Sequence, residues 1–345
     1  MSNIEYVSSN QSYRSTYGQL TSLAFFLVFN HFSTASWADE PVLTVYTYDS
    51  FISEWGPGPA IESTFEAQCG CHLVFVGVTD GAALLSRLQF EGRYTDADVV
   101  VGLDQNLIPE ARATDLFARH GLTPNFDLPV DWKDTHFLPF DWGWFSFVGR
   151  KGREMPTSLL ELAASDQSII IQDPRSSTPG LGLLLWIKRA YGDRSSAIWN
   201  DLVDNIVTVT PGWGEAYGLF LNGEADLVLS YTTSPAYHAI VESDESFVAL
   251  RFREGHYIQI EVAAKIKLTD QSMLADQFML FLLSGGFQSV IPTTNWMYPA
   301  ITPSSGLPSY FDTLVIPTST LIYAPEDLDN VKSLALAEWL DILSE

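Results

Sequence analysis

From residue 42 onward, apolar runs of strand length alternate with stretches in which apolar side chains recur every three or four positions. Residues 42–48 and 72–78 read as strands, with a short helix over 60–68 between them. A helix over 82–91, with Leu84, Leu85 and Leu88 on one face, then leads to a third strand at 97–103. This β-α-β-α-β order is the signature of parallel strands covered by helices. A second set follows the midpoint: strand 168–172, helix 181–191, strand 205–210, helix 215–222, strand 226–230 and a helix around 236–241. Neither a low-complexity linker nor a fixed-period repeat separates the sets, so ordered strands must make the join. The predicted crossings are 137–148 and 255–264, both apolar and extended in character. The pattern predicts an α/β protein of two lobes, the first built from 39–140 and 263–345, the second from 141–262. A last helix should open at Pro325-Glu326-Asp327, whose acids suit a helix start. Its apolar stripe of Leu336, Trp339, Leu340 and Leu343 is expected to pack on the first lobe.

The 345 residues are 46% hydrophobic and 13% aromatic, enough to fill substantial cores. Lys and Arg total 18 against 42 Asp and Glu, a net charge of -24. Binding to a phosphate backbone needs basic stripes, so a nucleic-acid partner is not expected. The apolar run from Leu20 to Phe29 is about half the roughly 20 residues that cross a bilayer. It suits the core of a secretory signal, and Ser36-Trp37-Ala38 supplies small residues before Asp39. Residues 1–38 are therefore expected to be a signal peptide cleaved after Ala38, although its start carries only Arg14, offset by Glu5. In an oxidising compartment Cys69-Gly70-Cys71, the only two cysteines, can form a short-loop disulfide or remain as packed thiols. His72 is adjacent, but no second Cys/His cluster accompanies it, so no metal is expected.

In parallel α/β sheets ligands sit beyond the carboxyl ends of strands. Those ends carry Tyr48-Asp49-Ser50, Asp80-Gly81, Gly102-Leu103-Asp104, Asp173 to Gly180, Pro211-Gly212-Trp213 and Tyr231 to Tyr237. Ser177-Thr178-Pro179-Gly180 precedes a strongly apolar helix, whose free N–H groups suit either an anion or ordinary side-chain capping. Trp55, Trp213, Tyr231, Tyr237 and Trp296 lie among glycines and prolines rather than in periodic runs. Their faces can stack on a heteroaromatic ring or hold a cation, which Asp49, Asp80 and Asp104 would also favour. Nucleophile-elbow, metalloprotease and P-loop patterns do not occur, and the six histidines lack metal-ligand spacing.

Several longer strings fall together. They are Leu43 to Phe51, Trp55-Gly56-Pro57-Gly58-Pro59, Asp173 to Gly182, Gly212-Trp213 with Glu215-Ala216-Tyr217-Gly218, Ser230 to His238, and Ile291-Pro292 with Asn295-Trp296-Met297-Tyr298-Pro299. Together they resemble the periplasmic thiamine-binding proteins of bacterial ABC importers, from about Pro41 to Pro299. The resemblance implies a type II periplasmic binding fold of largely parallel, mixed sheets flanked by helices, with the ligand cleft between two lobes. It implies a periplasmic protein without a cofactor that binds thiamine, thiamine phosphate or thiamine diphosphate and passes them to a membrane permease and its ATPase. By the same resemblance Tyr48 and Tyr237 would sandwich the pyrimidine, Trp213, Tyr231 and Trp296 would surround the thiazolium, and Asp80, Gly81, Ser177 and Thr178 would meet the phosphate. Trp55 joins this set as a further ring. Cys69 and Cys71 match the family's Cys-x-Cys pair. The chain departs from the family pattern with tryptophans at Trp142 and Trp144 where tyrosines are expected, and with Gly214 in place of a serine. Two alternatives share the fold: a thiaminase-like enzyme, which needs a cleft cysteine and an acid, and a ferric-iron binder, which would use Tyr231 and Tyr237.

Overall fold

The computed structural model describes residues 40–343, so the predicted leader and the cleavage point after Ala38 lie outside the described residues. The strands are β1 (Val42–Tyr48), β2 (His72–Val78), β3 (Val99–Asp104), β4 (Phe137–Arg150), β5 (Ile169–Gln172), β6 (Ile206–Thr210), β7 (Leu227–Tyr231), β8 (Phe247–Ala249), β9 (His256–Lys265), β10 (Tyr298–Pro299) and β11 (Thr320–Leu321). They join in the order β2-β1-β3-β9-β4-β7-β5-β6, with β8 and β10 added to β4 and β11 to β9. The outer pairs β1–β2, β1–β3, β5–β6 and β5–β7 are parallel, as the β-α-β order requires. The central pairs β3–β9, β9–β4 and β4–β7 are antiparallel.

Both predicted crossings are strands. The start of β4 lies beside the part of β9 that also pairs with β3, and its later residues Phe145 to Gly149 pair with β7. One strand thus passes from the first α/β set to the second. Every residue of β9, and every residue of β4 except Arg150, is buried. Strands covered on both faces are largely apolar, and the polar residues these two carry, among them Asp141, Gln259 and Glu261, are buried with the rest.

The helix Thr178–Tyr191 is buried all along from Thr178 to Ile187. A helix that is apolar all round must be covered on more than the sheet side. The C-terminal helix Pro325–Leu343 supplies that cover, and here the structure corrects the sequence-based expectation. Instead of resting on the first set alone, this helix packs on Thr178–Tyr191 and Ser195–Leu202 of the second set as well as on Ile108–Ala113 of the first. Lys188 Nζ pairs with Glu338 at 2.5 Å, and Ser195 Oγ donates to Glu338 Oε2 at 2.6 Å. Its buried face is Leu328, Ala335 and Trp339, spaced seven and four residues apart, whereas Leu340 is exposed.

Two local outcomes sharpen the prediction further. The helix expected around 236–241 is a single turn, Pro235–Tyr237, followed by a π turn, His238–Glu242, in which His238 Nδ1 meets Glu242 Oε2 at 2.6 Å. Cys69 and Cys71 are disulfide-bonded, with Cα atoms 5.2 Å apart. Gly70 between them caps the helix Gly58–Cys69 in the left-handed region at φ 62, a conformation that glycine adopts without steric cost.

Candidate functional site

At the carboxyl ends of the strands the two sets touch, through the Ala83 N–H on the Ser176 carbonyl oxygen at 3.1 Å and through one carboxylate. Asp80, ahead of the helix Gly81–Glu91, accepts from Gly81 N at 2.7 Å within its own set. It also accepts from Ser177 Oγ at 2.8 Å, Thr178 N at 3.2 Å and Trp213 N at 3.3 Å, all in the second set. Ser177 makes no side-chain cap to its own helix. Of the two readings of this segment, self-capping is therefore not what the side chain does; the helix start receives a negative group from outside. Burial raises the Asp80 carboxyl above its ordinary range, and the donors of Ser177, Gly81, Thr178 and Trp213 offset only part of that rise. The approach depends on Gly81, where a Cβ would lie 2.5 Å from Thr178 Oγ1 and 2.6 Å from the Gly102 carbonyl oxygen. Any side chain there would wedge the two sets apart.

Trp213 of this junction is in contact with rings of both sets. Trp213 stacks on Tyr217 at 4.9 Å, and its Nε1 donates to Ser230 Oγ at 2.8 Å. Trp55, from the first set and 51% exposed, lies 6.3 Å from Trp213. Tyr237 meets Trp296 edge-on at 5.5 Å. Trp296 has φ 56, a left-handed backbone that costs a non-glycine residue roughly 1–2 kcal/mol, so the surrounding structure holds it there. Tyr231 lies tilted over Phe145 at 5.2 Å. Tyr48 is nearly buried, its ring edge-on to Phe51. A Cβ at Gly102, which has φ 103, would fall 2.3 Å from the Tyr48 ring.

A third group joins Asp104, already a sequence-based candidate, to two acids on the crossing strands that were not. Glu261 of β9 is the register partner of Asp104 on β3 and of Asp141 on β4, which sets three carboxyls in a row across three strands. All three are buried. Tyr48 Oη donates to Glu261 Oε2 at 2.8 Å, and Gln259 Nε2 donates to Glu261 Oε1 at 2.6 Å. Tyr231 Oη in turn donates to Gln259 Oε1 at 2.6 Å. The tyrosines of the two sets are thereby tied to one strand. Asn295 Nδ2 bridges Asp141 Oδ2 at 2.6 Å and Tyr48 Oη at 3.0 Å, while Asp141 Oδ1 is buried without a hydrogen-bond partner. Burial pushes Asp104 up to about 7 and Asp141 up to about 8. Burial and the neighbouring Asp141 charge hold Glu261 well above the usual carboxylate range. The signal that could have found these residues was a single acid inside each of two apolar runs, since a charge is seldom buried without a reason.

The structure brings Asp80, Gly81, Ser177, Thr178 and Trp213 into one junction. It sets Trp55 against Trp213 and Tyr237 against Trp296, and it joins Tyr48 to Tyr231 through Glu261 and Gln259. Asp49 is exposed and stands apart from the buried acids. The two departures near the crossing are packing residues: Trp142 stacks on Tyr298 at 4.6 Å, and Trp144 Nε1 donates to Thr320 Oγ1 at 3.0 Å. At Gly214 a Cβ would meet nothing within 4 Å, so the missing serine leaves no packing defect.

Two α/β sets joined by paired crossing strands, with rings and polar groups of both meeting at the strand ends, define a solute-binding protein of the type II periplasmic fold. The chain matches the bacterial extracellular solute-binding protein family over residues 145–291. It is 50% identical over 305 residues to a thiamine-binding periplasmic protein of Salmonella typhimurium, covering 87% of this chain and 93% of that one. A protein of the same name from Brucella suis is 48% identical over 328 residues, covering 93% and 98%. The solved structure of a periplasmic thiamin binding protein has a TM-score of 0.86 at 48% identity, covering 89% of this chain and 97% of the other. The chain belongs to the family of periplasmic thiamine-binding proteins.

Proposed function

We propose that this protein captures thiamine, thiamine phosphate and thiamine diphosphate in the periplasm and delivers them to the permease and ATPase of an ABC importer. The two sets act as lobes, 39–140 with 263–345 and 141–262, that close on the ligand about β4 and β9. The observation that carries the reading is the pairing of the two sets at the strand ends, where Asp80 of the first holds Ser177, Thr178 and Trp213 of the second, and Glu261 with Gln259 links Tyr48 to Tyr231 beside buried Asp141. Each well-placed ring face contributes roughly 0.5–2 kcal/mol to holding a cation such as the thiazolium. The pyrimidine lies between Tyr48 and Tyr237, with Trp55 at the rim. The phosphate takes the donors of Gly81, Ser177 and Thr178, for which it competes with the Asp80 carboxylate.

The protein acts as a carrier rather than an enzyme. Both cysteines are joined to each other, at the end of the helix Gly58–Cys69 and the start of β2, the opposite strand end from Val78. That argues against a thiolate nucleophile in the cleft. The reading is tested by denaturing purified protein and identifying the released ligand by mass spectrometry, followed by scattering with and without added thiamine. A thiamine form in the released fraction and a smaller radius of gyration on binding are expected. Release of a ligand without a thiazolium, together with no thiamine binding to the emptied protein, would refute it.

A further inference from the structure

Glu261 faces acids on both sides: Asp104 across β3 and Asp141 across β4. The other groups around this row are Tyr48 at the end of β1, Asp80 ahead of the helix Gly81–Glu91 and Tyr231 at the end of β7, with Asn295 and Gln259 as neutral partners. Lys332 and Tyr257 act on the Asp104 end; Lys332 Nζ donates to the Asn106 carbonyl oxygen at 3.1 Å and pairs with Glu110. At the other end Asp141 receives one hydrogen bond, from Asn295, and its second oxygen receives none. Two neighbouring carboxylates in such a place cannot both ionise cheaply, because burial strengthens their repulsion as it strips their hydration. One proton shared between them removes that cost, and so does a cation placed beside them.

We propose that Asp141 and Glu261 form a carboxyl pair that selects for a positively charged ligand by holding one proton and releasing it when the cation enters the cleft. The inference rests on the thiamine reading above and adds to it the means by which charge is recognised. One carboxylic O–H bond breaks on binding, the proton passes to solvent buffer, and the carboxylate formed stays behind as counter-charge. The directions of Asp141 and Glu261, both raised by burial, agree with a proton held near neutral pH. The sign follows: below the range in which the pair ionises the ligand must expel a proton, so affinity rises with pH, and above it affinity levels off.

The test is calorimetric titration of the emptied full chain with thiamine at pH 6, 7 and 8, each in two buffers of different ionisation enthalpy. The wild type should release roughly half to one proton per thiamine at pH 7 and tighten about five- to tenfold per pH unit between 6 and 8. Asp141→Asn and Glu261→Gln, with melting curves as a check on folding, should each cut the release to below about 0.2 protons and flatten the pH profile. Glu261→Asp, which restores a carboxyl, should recover the release. Thiamine binding without proton release in the wild type overturns the inference and leaves the thiamine reading standing; so does full release in both neutralised variants. An intact protein that does not bind thiamine at any pH overturns both.

Discussion

Asp80 and Asp141 are both buried aspartates on the strand-end side of the sheet, and they are satisfied in opposite ways. Asp80 collects four hydrogen bonds, three from the opposing set, and so lends its charge to a helix start and a lobe contact. Asp141 has one donor, one bare oxygen and a second carboxyl as its register partner. Burial is common to both, so the difference lies in how many donors oppose it and in whether a second carboxyl stands alongside. The Asp80 junction is rich in donors, whereas the Asp141–Glu261 row is rich in acceptors. That polarity fits a ligand with a cationic ring and a phosphate tail.

The largest effect expected from this contrast is on stability. An unfolded aspartate titrates near 3.9, whereas folded Asp141 is pushed up to about 8 and Asp104 to about 7. In that window the folded chain binds protons that the unfolded chain does not, so stability is full below the unfolded value and is lost as pH rises through the folded ones. The Tm of the unliganded protein should fall by roughly 10 °C between pH 5 and pH 8, and Asp141→Asn should shallow that slope. A Tm that is flat, or that rises with pH, would show that the acidic row is ionised in the fold and erase the contrast with Asp80.

A smaller effect separates the two ends by ligand. Ser177→Ala removes a donor at the phosphate end and should weaken thiamine diphosphate about tenfold while sparing thiamine. Trp213→Leu keeps apolar bulk but loses the ring face, and should weaken both ligands by a similar factor of about five. Equal losses for both ligands in Ser177→Ala would move the phosphate away from this helix start.

The smallest effect concerns the disulfide. Cys69 and Cys71 enclose a single residue, so the loop entropy they remove from the unfolded chain is small, about 1.5 kcal/mol. Reduction should lower the Tm by about 3 °C and leave thiamine affinity unchanged. Loss of binding at a temperature where the reduced protein is folded would place the pair in the cleft and break its assignment as a structural link.

The alternating elements were legible because each strand and helix buries a face that its own periodicity sets. The strands at 42–48 and 72–78 match β1 and β2 residue for residue, and the crossings at 137–148 and 255–264 became β4 and β9. Rings and donors near strand ends, from Tyr48 to Trp296, were also legible, since residues outside periodic runs stand out. Three features were not. The C-terminal helix was assigned to only one of the two sets it packs on, because a stripe says that it must be covered, not by what; the apolar helix Thr178–Tyr191 draws it onto the second set as well. Ser177 and Thr178 were seen as donors, but their acceptor, Asp80, lies almost a hundred residues earlier and meets them only in the folded chain. Asp141 and Glu261 were passed over within apolar runs, because a lone acid in a strand has no partner until register supplies one. Periodicity, capping and ring chemistry are local and are written in the sequence of this chain. The opposition of one donor-rich and one acid-rich end is made by contacts between distant strands, and only the fold brings those together.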